Sequence, residues 1–469
     1  MTPTPDHEAL HALAARARAD LAAMAYPARE WMPPPAHPTG ARAHNVLVVG
    51  GGQSGVGVAH LLAREGVGGV SVIDAAARGA EGPWRGYARM ATLRTPKDLV
   101  GLDGGLPSLS VRAWYDAAFG PAAWDAIVRI PRLQWAAYLD WFRDTVGVEV
   151  RNGTALRKLV PDGEWIACDL AVDGRPVREY ARRVVLAHGF ENAGAWSMPE
   201  WASALPENRR AHSNGMVDFA ALAGKRVAVL GHGASAFDNA LAALRAGAAR
   251  VDLCFRRAAL PAINPHRWAE FGGYLRHYPD LPDATKWAMS RRFRLMDQPP
   301  TADGVNGCTA FANFAAHPGR GWTGAVAHAD SVRIDTPKGA LDADFLIFAT
   351  GMRVDLALRP ELTAIEADIA RWADRFAADD PDPVLAAWPY LGPGFEFLPK
   401  PGRTAPWLAR IHQFGFAAGL SHGAQCASVS GHRHALPRLV AGVTRGLFAE
   451  IAPGLPAALD AYDVREKLL

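Results

Sequence analysis

The chain has 469 residues, a length sized for about two to four domain-scale units, and a formal net charge of +3. With 49% apolar and 21% charged residues it can bury large cores, and its near balance of charge argues against nucleic-acid binding by bulk electrostatics. The longest apolar runs, such as Val46 to Val49 and Val184 to Ala187, fall far short of the roughly 20 residues that span a bilayer, so no membrane association is expected.

The N-terminus places Asp6 and Glu8 ahead of any apolar run, unlike a secretory signal, so the expected compartment is the cytoplasm. His7 to Met24 reads as an amphipathic helix that offers a surface for homodimer contacts, and Tyr26 to Gly40 as a proline-rich arm; together they make an N-terminal segment, 1–44. Asn45 to Val49 is then a run of β-formers, followed by Gly50-Gly-Gly-Gln-Ser-Gly55 and a helical Val56 to Glu65. Val70 to Asp74 supplies a second strand, ending in a carboxylate nineteen residues after Gly55.

This strand, glycine turn, helix and acidic strand end is the pattern of a dinucleotide site. Gly50, Gly52 and Gly55 let the backbone approach a pyrophosphate, the helix start around Gln53 and Ser54 offers N–H donors, and Asp74 accepts from a ribose hydroxyl. Ile130 to Phe142 reads as an aromatic-rich helix, and Val184 to Ala187 as a strand returning to the first sheet.

A second copy begins at Lys225. Arg226 to Leu230 is the strand, Gly231-His-Gly-Ala-Ser-Ala236 the turn, and Phe237 to Ala246 the helix. Gly231, Gly233, Ala234, Ser235 and Ala236 are its candidate phosphate-binding residues. Its next strand, Val251 to Phe255, ends in Arg256 and Arg257 where an acid would select a bare ribose, and two cations there suit the 2′-phosphate of NADPH. Asp238 reads as a structural or cofactor-contact acid rather than a general base.

Pro261 to Phe314 is rich in aromatic residues, Arg and Pro and interrupts this unit; Asp344 to Gly351 reads as a buried strand ending in a tight turn; His434 to Glu450 reads as a helix that closes the first domain. The Arg-rich stretch 288–294 reads as a solvated face. The fold class is therefore α/β with two Rossmann-like dinucleotide-binding domains, the first interrupted by the second. The expected boundaries are 45–215 and 341–469 for the first domain, and 216–340 for the second with an aromatic-rich insertion at 261–320.

His412, His422, His432 and His434 gather late, but no acid or thiolate stands at ligand spacing, so no metal is expected. Cys168, Cys254, Cys308 and Cys426 lie far apart and make no Cys-x-x-Cys, which sets aside a disulfide framework and a dithiol relay.

The order of the first glycine turn, Gly82-Pro-Trp84, His212-Ser213, Gly224 to Gly231 with Ser235-Ala-Phe-Asp238, and Ala349-Thr350-Gly351 resembles the class B flavoprotein monooxygenases over roughly residues 45 to 450. The resemblance implies FAD in the first site, contacted also by Trp84, and NADPH in the second, with Thr350 and Gly351 beside it. It implies an enzyme that inserts one atom of O2 into a small organic substrate through a C4a-(hydro)peroxyflavin. Thr95-Pro-Lys-Asp-Leu-Val100 is similar to a segment of the amine N-hydroxylases whose lysine lies over the flavin, which makes Lys97 a candidate catalytic residue and Thr95 a second one. Pro206 and Asn208 stand where the Baeyer–Villiger fingerprint has Phe and Gly, so N-hydroxylation and hydroxylation of a heteroaromatic such as a purine stand as alternatives to Baeyer–Villiger insertion. A disulfide oxidoreductase, a plain FAD/NADPH reductase and a non-catalytic flavin sensor are the readings outside the class.

Overall fold

A computed structural model describes residues 4–26, 29–99, 101–190 and 194–466. Pro27 and Ala28 of the proline-rich arm and Val100 of the 95–100 segment lie outside the described residues. Helix α1 (His7–Ala23) begins where the Asp6 carboxylate accepts from the Ala9 N–H at 3.0 Å, a side-chain cap that satisfies one of the free donors of the first turn.

The chain then forms β1 (Ala43–Val49), α2 (Gln53–Arg64) and β2 (Val70–Ile73), the expected first unit. Helix α3 (Arg132–Thr145) leads into β3 (Val150–Arg151), β4 (Thr154–Asp162), β5 (Trp165–Val172) and β6 (Arg175–Leu186). After β7 (Gly194–Trp196) and β8 (Arg210–His212) comes the second unit, β9 (Arg226–Leu230), α4 (Ala234–Arg245) and β10 (Arg250–Phe255). Helix α5 (Asp283–Met296) lies in the aromatic-rich insertion. Next follow β11 (Phe314–Pro318), β12 (Gly324–Ala327), β13 (Val332–Asp335), β14 (Leu341–Ala343), β15 (Phe345–Phe348), β16 (Met352–Val354), β17 (Ile411–Gln413) and the closing helix α6 (His432–Ile451).

Strands buried on both faces read as unbroken apolar runs, and β1 is one: Val46, Leu47 and Val48 are wholly buried, each adding about 1.5–3 kcal/mol of burial free energy. It lies parallel to β2 on one side and β6 on the other. The seven-stranded sheet runs β3-β2-β1-β6-β5-β4, and β6 divides its free edge between two partners. Its first half pairs antiparallel with β5, while Val184 to Leu186 pair in parallel with β17. The late chain thus returns to the first sheet, with Phe395, Phe397 and Phe414 fully buried in the same core. Helix α6 packs on α2 at Gly57, where a β-carbon would come within 2.8 Å of the Leu436 side chain.

The second sheet corrects the expected boundaries. Its order is β11-β10-β9-β15-β8, all parallel, so Arg210 to His212 and Phe345 to Phe348 belong to the second unit and not to the first. The same pairing makes Phe314 to Pro318 an edge strand of that sheet, which ends the insertion before 320. The reason is registry: Leu346 lies between Ala228 and Arg210, a pairing set by hydrogen bonds between segments more than 100 residues apart. The antiparallel pair β16–β7 then carries the chain back out of this unit.

The Arg-rich face of 288–294 is also not simply solvated. Arg291 pairs with Asp380 at 2.7 Å, and Arg294 with the almost wholly buried Asp382, so α5 holds the 380–382 segment.

Candidate functional site

The turn after β1 is shaped by one close approach. Gly50 has φ +111°, and a β-carbon there would lie 2.7 Å from the Ala187 carbonyl oxygen at the end of β6. Gly55 lets α2 start tightly against this turn, since a β-carbon on it would fall 1.8 Å from the Gly50 oxygen. Helix α2 opens at Gly52 without a side-chain cap, which leaves first-turn N–H groups for a ligand. The Asp74 carboxylate, one residue past β2, accepts from the N–H groups of Gly51 and Ala76, each at 2.7 Å. Burial raises its pKa, and these two bonds work against that rise.

These residues border a cavity of about 620 Å³, within the usual range for small-molecule and cofactor sites. Of the residues expected from the sequence, Gly50, Gly52, Gln53, Ser54, Asp74, Trp84 and Thr95 line it. Tyr87, Arg94, His188, Phe416 and Ser428 line it too, and the sequence reading missed them as site residues. One signal was available for His188: Ala187-His188-Gly189 closes β6 just as Ala349-Thr350-Gly351 closes β15. Ser54 Oγ stands 2.9 Å from Nε2 of His432, which ties the starts of α2 and α6 together beside the cavity. Burial pushes the His432 imidazole down to about 4, so it is neutral at pH 7.

Lys97 is corrected. Its ammonium donates to the carbonyls of Trp124 at 2.8 Å and Ile127 at 2.7 Å and lies over the Trp124 ring, and it is absent from the cavity wall. A lysine has three donors, and two backbone acceptors at the end of a short helix are a better match in this fold than an open cavity. The side chain that reaches the cavity from this segment is Arg94, three residues earlier, together with Thr95.

The second turn repeats the first in backbone terms. Gly231 has φ +143°, and a β-carbon there would lie 2.4 Å from the Ala349 oxygen. Helix α4 opens at Gly233 with no side-chain cap, so the N–H groups of Ala234 and Ser235 form an open first turn, while that of Ala236 donates to the Gly233 carbonyl at 3.0 Å. The Thr350 hydroxyl donates to the Ser197 carbonyl, and Gly351, with φ +77°, accepts from the Ser197 N–H at 2.9 Å. Arg256 and Arg257 are exposed at the end of β10. Arg257 lies 3.4 Å from Asp297, which also stands 2.8 Å from His232 inside the glycine turn. Arg256 has no ion-pair partner among the described residues. None of these second-unit residues lines the large cavity.

Three of the late histidines, His412, His422 and His432, are buried rings that burial keeps neutral at pH 7, whereas His434 is half-buried. His412 Nδ1 lies 2.7 Å from the Gly394 carbonyl and His422 Nε2 lies 3.0 Å from that of Gly392. Among the described residues no group of three His, Cys, Asp or Glu side chains could hold a metal ion. All four cysteines are buried free thiols, and burial pushes Cys254 up to about 11 and Cys308 and Cys426 to about 12, far from the thiolate that disulfide exchange requires. Among the described residues no helix is long and apolar enough to cross a membrane.

An open glycine turn, an uncapped helix start, an acid at the next strand end and a largely apolar wall suit the first cavity to FAD. Comparison with known proteins agrees. A family model described as FAD-NAD(P)-binding matches residues 47–191, and one for L-lysine 6-monooxygenase/L-ornithine 5-monooxygenase matches residues 125–289. An FAD-dependent urate hydroxylase of Xanthomonas campestris pv. campestris is 45% identical over 452 residues, covering 95% of each chain. The chain belongs to that enzyme's family.

It is an FAD-dependent monooxygenase that also binds a nicotinamide dinucleotide. Solved structures show how far the monooxygenase's fold extends. The ornithine N-hydroxylase of Kutzneria sp. 744 superposes with a TM-score of 0.69 at 16% identity, over 86% of this chain and 99% of its own. The ornithine hydroxylase of Pseudomonas aeruginosa gives 0.68 at 16%, over 86% and 100%. A flavin-containing monooxygenase of Stenotrophomonas maltophilia gives 0.56 at 18%, over 86% and 99%. The expectation of a class B monooxygenase with two Rossmann-like units stands.

Proposed function

We propose that this monooxygenase hydroxylates urate or a closely related oxidised purine, with NADPH as electron donor. In the overall reaction one atom of O2 enters the substrate, the other leaves as water, and NADPH becomes NADP+. The observation that carries this reading is 45% identity, sustained over 95% of both chains, to an enzyme named for urate hydroxylation. Lys97, whose segment is the one similar to the amine N-hydroxylases, bonds to the Trp124 and Ile127 carbonyls away from the cavity wall, which weighs against the amine reading, although one family model is named for lysine and ornithine.

The FAD-binding residues on this reading are Gly50, Gly52, Gln53, Ser54 and Gly55 at the turn, Asp74 at the ribose, and Trp84 and Thr95 along the wall. When bound, FAD supplies two-electron redox chemistry with the nicotinamide and with oxygen. The chain holds it by the N–H groups of the α2 start, excludes water with a lining that includes Val49, Leu93, Phe190, Phe416 and Val429, and places the start of α6 beside the same cavity. Gly231, Gly233, Ala234, Ser235 and Ala236 receive the nicotinamide pyrophosphate, with Thr350 and Gly351 beside them. Arg256, exposed and without an acid, takes the 2′-phosphate, while Arg257 shares Asp297 with His232. On this reading the nucleotide unit runs over about 197–351 and the FAD unit over the segments on either side, a division that the strand order of the two sheets supports.

The test is direct. Purified holoenzyme is given NADPH, O2 and either urate, ornithine or lysine, and substrate loss is compared with NADPH consumption. One-to-one consumption with urate supports the reading; turnover of an amine with none of urate overturns it.

A further inference from the structure

Arg94 joins the two units at one point. It comes from the 92–99 segment, lines the FAD cavity, and places Nη2 at 2.8 Å from Oδ2 of Asp238. Asp238 stands in the second turn of α4, the helix whose uncapped start faces the nicotinamide site. The carboxylate is 8% exposed, and its residue sits among groups of the second unit's core such as Phe237, Ala236 and Cys308. Burial raises the acid's pKa, and Arg94 is the cation that counters this. Among the described residues Arg94 uses only that nitrogen, and its buried Nε has no partner there.

An ion pair with one member this buried is weak evidence for stability, because desolvation offsets most of the attraction. Its geometry carries more information. A guanidinium is a planar fork with five N–H donors, and fixing one nitrogen fixes the direction of the others. Here the fixing partner belongs to the other unit. The side chain that borders the flavin cavity is oriented by the helix that opens onto the nicotinamide phosphates.

We propose that the Arg94–Asp238 pair couples the two dinucleotide sites: Asp238 is a positioning residue that orients Arg94, and Arg94 gives its remaining N–H donors to the occupant of the flavin cavity. Displacement of α4 by a bound nucleotide then reaches the flavin site through one side chain, and linkage requires the effect to run both ways. The proposal rests on the FAD and nicotinamide sites and not on urate, so it is tested without any organic substrate.

The experiment compares holoenzyme with D238A, R94A, R94K and the double variant R94A/D238A. Bound FAD and Tm are recorded first. The rate of flavin bleaching by NADPH under anaerobic conditions and the NADP+ Kd from flavin-fluorescence quenching are then measured. We expect D238A and R94A each to slow reduction about tenfold, the double variant to be no slower than the single ones, and R94K to recover part of the rate, because lysine can still reach Asp238 but lacks the fork. A lowered Tm with reduction rate and NADP+ Kd unchanged overturns the proposal and leaves a structural pair. Effects that multiply in the double variant overturn it as well. Should R94A lose FAD or fail to fold, D238A and R94K carry the same comparison. Failure of urate turnover leaves all of these readouts intact, so the two readings fail separately.

Discussion

Gly50 passes so close to Ala187 that a β-carbon on it would lie 2.7 Å from the Ala187 carbonyl oxygen. Gly231 stands in the same relation to Ala349, at 2.4 Å. Each glycine turn is therefore locked to the end of a strand far away in sequence, and both carry a positive φ that side chains with a β-carbon rarely adopt.

Gly50→Ala and Gly231→Ala separate the two sites. In G50A the purified protein is expected to lose its FAD, seen as loss of the yellow flavin absorbance. In G231A the FAD is expected to remain while reduction by NADPH falls by about a hundredfold or more, the loss of phosphate contacts at an open helix start being worth several kcal/mol. Retention of normal NADPH reduction in G231A would contradict the assignment of the second turn.

On the proposed assignment, coenzyme choice rests on Arg256. R256A is expected to raise KM for NADPH about tenfold, one charge-assisted phosphate contact, and to leave KM for NADH within about twofold. R257A should act less on this ratio, because Arg257 already shares Asp297 with His232. Equal changes with both coenzymes would place the 2′-phosphate elsewhere.

The two hydrogen bonds of Lys97 fit a structural role, which a substitution tests. K97M removes two hydrogen bonds to the Trp124 and Ile127 carbonyls and is expected to lower stability by about 1–3 kcal/mol in a denaturant melt, with bound FAD and NADPH oxidation close to the parent's. Loss of coupled turnover at unchanged stability would return Lys97 to the flavin.

Buried histidines set the acid limit of the fold. Burial pushes His60, His188, His212, His412 and His432 down to about 4 and His422 to about 3. The native state resists protons that the unfolded chain binds from about pH 6.5 downward, so stability is full above 6.5 and is lost as pH falls toward 4. With all six titrating, the slope reaches up to about 8 kcal/mol per pH unit. Thermal melts should show Tm level from pH 8 to 7 and falling steeply between 6 and 5; a Tm unchanged down to pH 5 would show that these rings protonate freely in the native state.

Much of the architecture was legible in the chain. The strand–glycine–helix order at Val46 to Arg64 and again at Val227 to Arg245 is local, and local patterns survive folding because each turn's backbone demands its own glycine. The positions of Asp74 and Arg256, each just past the end of a strand, were readable for the same reason, because the motif before them fixes where those strands end. The four scattered cysteines likewise excluded a dithiol relay without any structure.

Other features were decided only by the tertiary structure. The sheet to which Phe345 to Phe348 belongs depends on hydrogen bonds to β8 and β9, and no periodicity within four apolar residues encodes a partner more than 100 positions away. Which side chain of the 94–97 segment enters the cavity depends on what else competes for it. Two backbone carbonyls at the end of a short helix claim the Lys97 ammonium, while a buried carboxylate on α4 draws Arg94 across the seam between the units. A linear sequence names the residues that can do chemistry near a glycine turn; long-range packing and the satisfaction of buried charge select the ones that reach the site.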